Sequence, residues 1–305
     1  MNCISQAGVE LLAACLTNPL KLEEPMSKHT SFRIGGPAEV LAQPQSAAEL
    51  QSLLQQAQKL ELPITVVGNG SNLLVRDKGI RGLVVKLGNA LKDICVDGNR
   101  LTFGSGVSLA LAARKAADLS LTGMEFAGGI PGSIGGAVYM NAGAYDGEMA
   151  QVVTQVEVLT EAGKIAVMQA EELDFSYRHS ALQGTKLIVL SVTVELKPGD
   201  KAAIEEKMAD FAQRRSSKQP LELPSAGSTF KRPPGMFAGP LIDQSGLKGY
   251  TVGGAQVSTK HAGFVVNVGG ATAADVLQLI KDVQDKVYAG YGVHLEPEVL
   301  VIGEE

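Results

Sequence analysis

The chain has 305 residues, 45% of them hydrophobic and 19% charged, with a formal net charge of −5. That is the balance of a soluble globular protein with a substantial core. The acidic balance argues against a nucleic-acid partner, because phosphate binding needs a basic face, and no apolar run approaches transmembrane length. Cys3, Cys15 and Cys95 are odd in number and widely spaced, as reduced cytosolic thiols are. His29, His179, His261 and His294 are scattered, with no HExxH or similar cluster, so no metal site is expected. The apolar patch at 9–16 contains Glu10 and lacks a basic lead-in, so it does not read as a signal peptide.

In chain order, residues 8–18 predict a short helix ended by Asn18-Pro19. Ser46 followed by Glu49 predicts a capping box, opening a helix with Leu50, Leu53, Leu54 and Ala57 on one face. Strand signals follow at 62–67, 73–76, 82–87 and 101–103. Ser108 caps a helix through Leu119, with Leu109, Ala112, Ala113 and Ala116 on one side. Residues 152–159, 164–168 and 187–196 are β-branched and strand-like. Asp200 or Lys201 starts a helix with Ile204, Met208 and Phe211 on its apolar face. Thr272 and Asp275 cap the last helix, whose face is Val276, Leu279, Ile280, Val283 and Val287, and Gly290 closes it. A strand at 298–302 ends the chain. Short strands dominate before Pro198-Gly199 and longer helices after it. The division drawn from this is 1–27, 28–198 and 199–305.

Residues 127–137 hold five glycines and Pro131, together with Ile130 and Ile134. A flexible linker would not carry buried-type isoleucines. The stretch reads as a folded loop whose backbone comes very close to something, because glycine lacks the Cβ that would block the approach. Converging backbone N–H groups suit an anion such as a pyrophosphate. A second loop, Gly68-Asn69-Gly70-Ser71-Asn72-Leu73, follows a strand. The Rossmann pattern GxGxxG fails there at Leu73, and a strand signal follows instead of a helix. No GxxxxGK[ST] is present. Two such loops predict a long ligand with a central pyrophosphate, as in FAD, on a non-Rossmann α+β scaffold.

Three segments carry a family resemblance in the N-terminal half: 30–38 (TSFRIGGPA), 68–74 (GNGSNLL) and 129–136 (GIPGSIGG). Four more continue it: 176–178 (SYR), 226–231 (AGSTFK), 260–264 (KHAGF) and 296–299 (EPEV). In order and jointly, from about residue 28 to the end, they resemble the UDP-N-acetylenolpyruvoylglucosamine reductase family. The resemblance implies a two-part FAD-binding domain of the vanillyl-alcohol-oxidase (PCMH) type, followed by a C-terminal α+β substrate-binding domain. It also implies a cytoplasmic NADPH-dependent oxidoreductase acting on a CH–CH bond. The reaction reduces the enolpyruvyl group of UDP-N-acetylglucosamine enolpyruvate to UDP-N-acetylmuramate in peptidoglycan precursor synthesis. The resemblance further implies non-covalent FAD, a small UDP-sugar partner, no membrane insertion, and a monomer or weak oligomer.

That chemistry needs a proton donor and positive charge or donors beside the substrate carboxylate. The resemblance makes Ser228 the donor, although without it a serine in Ala226-Gly227-Ser228 reads as a turn residue bonding its own backbone. It gives Arg178 the carboxylate and the developing enolate, for which a guanidinium fork is suited. Glu296 and Glu298 point the same way by strand alternation. The family motif selects Glu298, just before Val299, and leaves Glu296 as an exposed loop residue. Arg215 and Lys218 end a helix, where basic residues also suit the dipole, and the resemblance offers both for a pyrophosphate or the NADPH phosphate. Lys231 joins them on the substrate side. For FAD it points to Arg33, to Gly68, Asn69, Gly70, Ser71, Asn72 and Leu73, and to Gly129, Ile130, Pro131, Gly132, Ser133, Gly135 and Gly136. Asn141, Ala142 and Gly143 form a third turn nearby, and His261 and Tyr145 are further lining candidates. Arg232 departs from the asparagine common in the family, and the 178–228 interval lacks the tyrosine-bearing insertion of the longer subfamily. Two other readings stand beside this one. An FAD-linked oxidase would often carry a His or Cys for covalent flavin, and none sits in these loops. A non-catalytic nucleotide-sugar binder would not need Ser228 and Glu298 together.

Overall fold

A computed structural model describes residues 4–88 and 91–305, so Cys3 lies outside the described residues. Seven helices are present among them. They are α1 (Gln6–Ala13), α2 (Ala47–Lys59), α3 (Leu109–Asp118), α4 (Ile134–Tyr139), α5 (Lys201–Lys218), α6 (Ala238–Gln244) and α7 (Ala273–Tyr291). The chain forms two compact units. One contains residues 1–21, 41–69 and 83–215, and the other 22–40, 70–82 and 216–305. These units do not follow a division at 198/199. Most of α5 belongs with the first, because Ile204 is buried and Met208 and Phe211 pack on its core.

The first unit is built on a five-stranded antiparallel sheet in the order 165–169, 153–159, 188–195, 100–104 and 94–97. Val153, Val156 and Val158 are buried from one strand, and Val192 and Val194 from its neighbour. The same core takes in Leu109, Ala112, Ala113 and Ala116 of α3, where Ser108 accepts the Leu111 amide as the cap. Small alanines on that face let the helix sit close to the 125–129 segment. The strand at 94–97 has three exposed residues of four, which left little periodic signal in the sequence.

Two expectations for the helices near the N-terminus change. α1 starts from the Ser5 cap and ends at Ala13, well short of Asn18. Beyond it Thr17 donates its amide and hydroxyl to Glu49, and Asn18 donates to Gln43 O, so the chain is held against α2 rather than continued as helix. The same contact breaks the reciprocal half of the expected capping box. Ser46 does accept the Glu49 amide, but the Glu49 carboxylate takes Thr17 and the Gln45 amide instead. Those donors hold its pKa below the ordinary value, the Thr17 hydroxyl first.

The second unit has a four-stranded antiparallel sheet in the order 225–228, 264–267, 255–257 and 251–252, covered by α6 and α7. Thr272 and Asp275 form the full capping box at α7. The helix closes at Gly292 (φ +68°) rather than Gly290, two residues later than expected. Asp77 accepts the Ala273 and Ala274 amides, a second cap supplied from a distant loop that no local pattern announces. Residues 73–75 pair in parallel with 300–302. Leu73, which broke the Rossmann pattern, therefore starts a strand, and its register partner is Leu300.

Gly70 is the tightest point of that loop. Its φ is +66° and an added Cβ would stand 2.2 Å from the His29 carbonyl oxygen. Its own carbonyl accepts the Ser31 amide at 3.2 Å. Gly70→Ala should therefore cost roughly 1–2 kcal/mol for the backbone conformation alone, with the clash added. Thermal melting checks it, and a variant as stable as the parent would refute the close approach.

Candidate active site

In the first unit, the glycine-rich loop is pinned alongside residues 105–109. Leu109 donates its amide to Gly132 O, Ile134 to Val107 O, and Gly135 to Ser105 O. The tight backbone is largely packed against the protein itself. An added Cβ on Gly128 would stand 3.0 Å from Met208, on Gly129 3.2 Å from Arg215, and on Gly135 2.7 Å from the Ser105 Cβ. Gly132 has φ +144°. Gly136 is different: its Cβ would meet only the Ser133 hydroxyl, at an ordinary 3.6 Å. The other loop arrives at the same place, since a Cβ on Gly68 would stand 2.8 Å from Ser133 Oγ. A cavity of about 250 Å³ opens beside them, lined by Asn69, Gly106, Val107, Ser108 and Leu111 among others.

Glu125 anchors the entry to this loop. Its carboxylate, 4% exposed, accepts the Thr122 hydroxyl and the Gly123 amide (3.0 Å) and faces Lys207 at 3.7 Å. Burial pushes its pKa up, but Thr122, the backbone amides and Lys207 outweigh that, and the net shift is downward from 4.5. A lowered folded pKa means the contribution to stability is complete above about pH 4.5 and is lost as the pH falls through the folded value. Glu125→Gln should therefore flatten the acid limb of a urea-denaturation stability profile. An unchanged acid limb would count against this role.

Arg215 lies over Gly129, and burial lowers its pKa while Tyr145 raises it. Tyr145 stacks on Phe211 (4.4 Å between centroids, 13° between planes) and donates to Phe211 O at 3.2 Å. Tyr145 and Asp146, both with positive φ, form the turn between 143–144 and 147–148. A half-buried guanidinium beside a glycine-rich loop suits an anion.

Arg178 occupies the third position of the tight turn 176–179, closed by Ser176 N to His179 O (3.2 Å) and His179 N to Ser176 O (3.1 Å). Its φ is +57°, a conformation that favours glycine. Its guanidinium donates to Gly143 O at 3.1 Å and lies over the Tyr177 ring. Asn141, fully buried at φ +41°, donates to Ser176 O (3.0 Å) and accepts the Ala150 amide (2.9 Å). The 141–143 turn and Arg178 are thus brought together, with the Asn141 side chain committed within the protein. Any contact this turn makes with a ligand falls to its backbone.

The second unit holds Ser228 and Glu298. The strand 225–228 is irregular between Ser225 and Ser228, with Gly227 at φ +79° and open space where its Cβ would be. A bulge of this kind re-aims the side chain that follows it. Next to Ser228, Thr229 is buried. It donates its amide to Gly263 O, accepts the Val265 amide on Oγ1, and accepts the Glu298 amide on its carbonyl at 2.8 Å. The Glu298 carbonyl accepts Asn72 Nδ2 at 3.0 Å, and Asn72 O accepts the Leu300 amide. Asn72 therefore ties its loop to the Glu298 segment. Glu296 is exposed, as expected, and pairs with Lys231 Nζ at 2.5 Å, so the Lys231 ammonium is engaged by a carboxylate. Arg232 lies over the Phe237 ring at 5.1 Å. Arg33 is exposed at φ +55° on the 30–34 turn, and Ser31 fixes that turn by donating to Ser225 O at 2.7 Å. Lys218 is exposed at the end of α5. His261 accepts the Gly263 amide on Nδ1. Burial, then Lys248 and Lys218, lower its pKa despite an opposing backbone contact, which keeps the ring neutral at pH 7. A cavity of about 270 Å³ adjoins it, lined also by Lys248 and Lys260. Among the described residues, no group of three or more His, Cys, Asp or Glu could hold a metal ion.

A family described as "UDP-N-acetylenolpyruvoylglucosamine reductase, C-terminal domain" matches residues 219–302, and one described as "FAD binding domain" matches 38–169. The UDP-N-acetylenolpyruvoylglucosamine reductase of Agathobacter rectalis is 54% identical over 92% of this chain and 93% of its own. The chain belongs to the UDP-N-acetylenolpyruvoylglucosamine reductase family. The reductase of Syntrophomonas wolfei is 51% identical over 94% of this chain and 96% of its own. The crystal structure of the reductase from Thermus caldophilus superposes with a TM-score of 0.81 at 39% identity, covering 93% of this chain and 98% of that one. An alkyldihydroxyacetonephosphate synthase shares the fold alone, at TM-score 0.50 and 15% identity over 64% of this chain. As a member of this reductase family the chain is an oxidoreductase with an FAD-binding domain. No helix among the described residues is long and apolar enough to cross a membrane.

Gln183 was invisible in the sequence. It sits five residues past Arg178 in no recognisable pattern, and its contacts exist only once the 176–183 segment folds back on Tyr139. Ser105 gave no signal for the same reason: what singles it out is burial beside Gly135.

Proposed function

We propose that the chain reduces the enolpyruvyl group of UDP-N-acetylglucosamine enolpyruvate to UDP-N-acetylmuramate, with NADPH as reductant, in the cytoplasm and as a monomer or weak oligomer. FAD, when bound, supplies the hydride. The residues of the first unit fit that cofactor. Gly68 and Ser133 draw two glycine-rich loops together, and the Ser105 hydroxyl is buried beside them with no hydrogen-bond partner among the described residues. Within the first unit, residues 68–69 and 129–136 would hold it.

Arg178 binds the substrate carboxylate and stabilises the charge that develops there, through two parallel N–H bonds. Ser228 gives a proton to the carbon beside that carboxylate. A free serine is a very poor acid, so the transfer works only toward a base of enolate strength. Glu298 stabilises the same intermediate. Arg215 and Lys218, three residues apart on one helix, take phosphate oxygens, and Lys231 assists on exchange with Glu296. The observation that carries the reading is Ser228 placed after a bulge, on the segment hydrogen-bonded to that of Glu298.

The purified protein should be yellow and should release its flavin on denaturation. Stopped-flow absorbance should show bleaching with NADPH and recovery on addition of the enolpyruvyl substrate. A colourless protein that takes up no FAD would remove the reading. Recovery with oxygen but not with the substrate would replace it with an oxidase.

A further inference from the structure

We propose that Gln183 is a positioning residue for Arg178, holding its turn in the left-handed conformation from which the guanidinium reaches the substrate. This rests on the reading of Arg178 given above. The Gln183 side chain is fully used. Its Nε2 donates to Arg178 O at 3.1 Å and to Tyr139 O at 2.9 Å, and its Oε1 lies 3.4 Å from His179 Nδ1. Two carbonyl acceptors on one side fix the amide orientation, since only the NH₂ can donate to both. Ser180 Oγ donates to the same Tyr139 carbonyl at 2.8 Å.

The need for such a clamp follows from the backbone. A non-glycine residue at φ +57° is strained and persists only where its surroundings over-determine it. Here Asn141 fixes the first residue of the turn and Gln183 fixes the third. The guanidinium then meets Gly143 O, on the turn that follows Asn141. With the Gln183 bond gone, the Arg178 peptide is free to relax toward negative φ. That rotates the Cα–Cβ direction and carries the fork away from Gly143. Catalysis through a bidentate contact is sensitive to such a displacement.

The test uses the FAD-loaded full chain and three variants: Gln183→Met, which keeps length and removes the donors, Arg178→Lys, and the double variant. Gln183→Met should keep flavin content and NADPH-driven bleaching. Reoxidation at saturating enolpyruvyl substrate should fall by roughly 10- to 100-fold. In the double variant, reoxidation should be no slower than in Arg178→Lys alone, because the two residues act on one contact. Unchanged reoxidation in Gln183→Met, multiplied losses in the double variant, or equal loss of both half-reactions would each overturn the proposal. If Gln183→Met fails to load flavin, Gln183→Glu replaces it, with the same shape but no donors, and the same criteria apply. Failure of flavin loading in both variants assigns Gln183 to folding and also overturns the proposal. If Arg178→Lys itself reoxidises at the parent rate, the reading of Arg178 fails, separately from anything Gln183→Met shows.

Discussion

Ser228→Ala should leave NADPH-driven bleaching of the flavin nearly intact and slow reoxidation by the enolpyruvyl substrate by roughly 10²- to 10⁴-fold, the range set by losing a positioned proton donor. The reason lies in which residue carries the structural bonds. Ser228 is half-buried at the end of an irregular strand, and its neighbour Thr229, not Ser228 itself, carries the structural hydrogen bonds to Gly263, Val265 and Glu298. Removing one oxygen there leaves those bonds in place, so folding and flavin uptake should survive. Rapid-mixing absorbance separates the two half-reactions. Equal losses in both would make Ser228 a structural residue. Ser228→Cys gives a control of similar size with a stronger acid, and partial recovery of reoxidation is expected.

Arg178→Gly should separate stability from activity. Relief of the left-handed conformation returns roughly 1–2 kcal/mol, of which about 0.5–1 kcal/mol is lost to the greater freedom of glycine in the unfolded chain. The lost bond to Gly143 O and the contact with Tyr177 take part of the remainder. Stability should therefore hold or rise slightly, while reoxidation by substrate collapses by at least about 10²-fold for want of the guanidinium. Arg178→Lys keeps both charge and strain but cannot form the fork, so it too should lose reoxidation, without any gain in stability. Denaturant melts alongside stopped-flow traces check both halves. A marked fall in the melting midpoint of Arg178→Gly would mean that the turn is not strained.

Much of the frame was legible in the residues. Ser108, Ser46 and Thr272 cap the helices that their spacing announced, and α3 and α7 bury the faces their periodicity marked. Local rules suffice for these because a cap and the amide that donates to it lie three residues apart. The errors have two causes. Glu49 left its capping box for Thr17, 32 residues away, a long-range partner that a single sequence does not show. α7 ran past Gly290 to Gly292, which takes the left-handed conformation and donates its amide to Tyr288 O, a choice between two nearby glycines that spacing does not make.

The glycines divide along the same line. That the stretch at 127–137 must allow close backbone approach follows from composition, because no other residue lacks a Cβ. What makes the approach close is decided by tertiary structure. Arg215 from α5 presses on Gly129, Ser105 on Gly135, and Met208 on Gly128. These contacts join segments tens of residues apart. The chemistry-bearing residue types, Arg178, Ser228 and Glu298, and the failure of the Rossmann pattern at Leu73 are fixed by the sequence alone. The positive φ of Arg178, the bulge before Ser228 and the tie from Asn72 to Glu298 are decided only in the fold, because each depends on hydrogen bonds to residues that sequence spacing does not bring near.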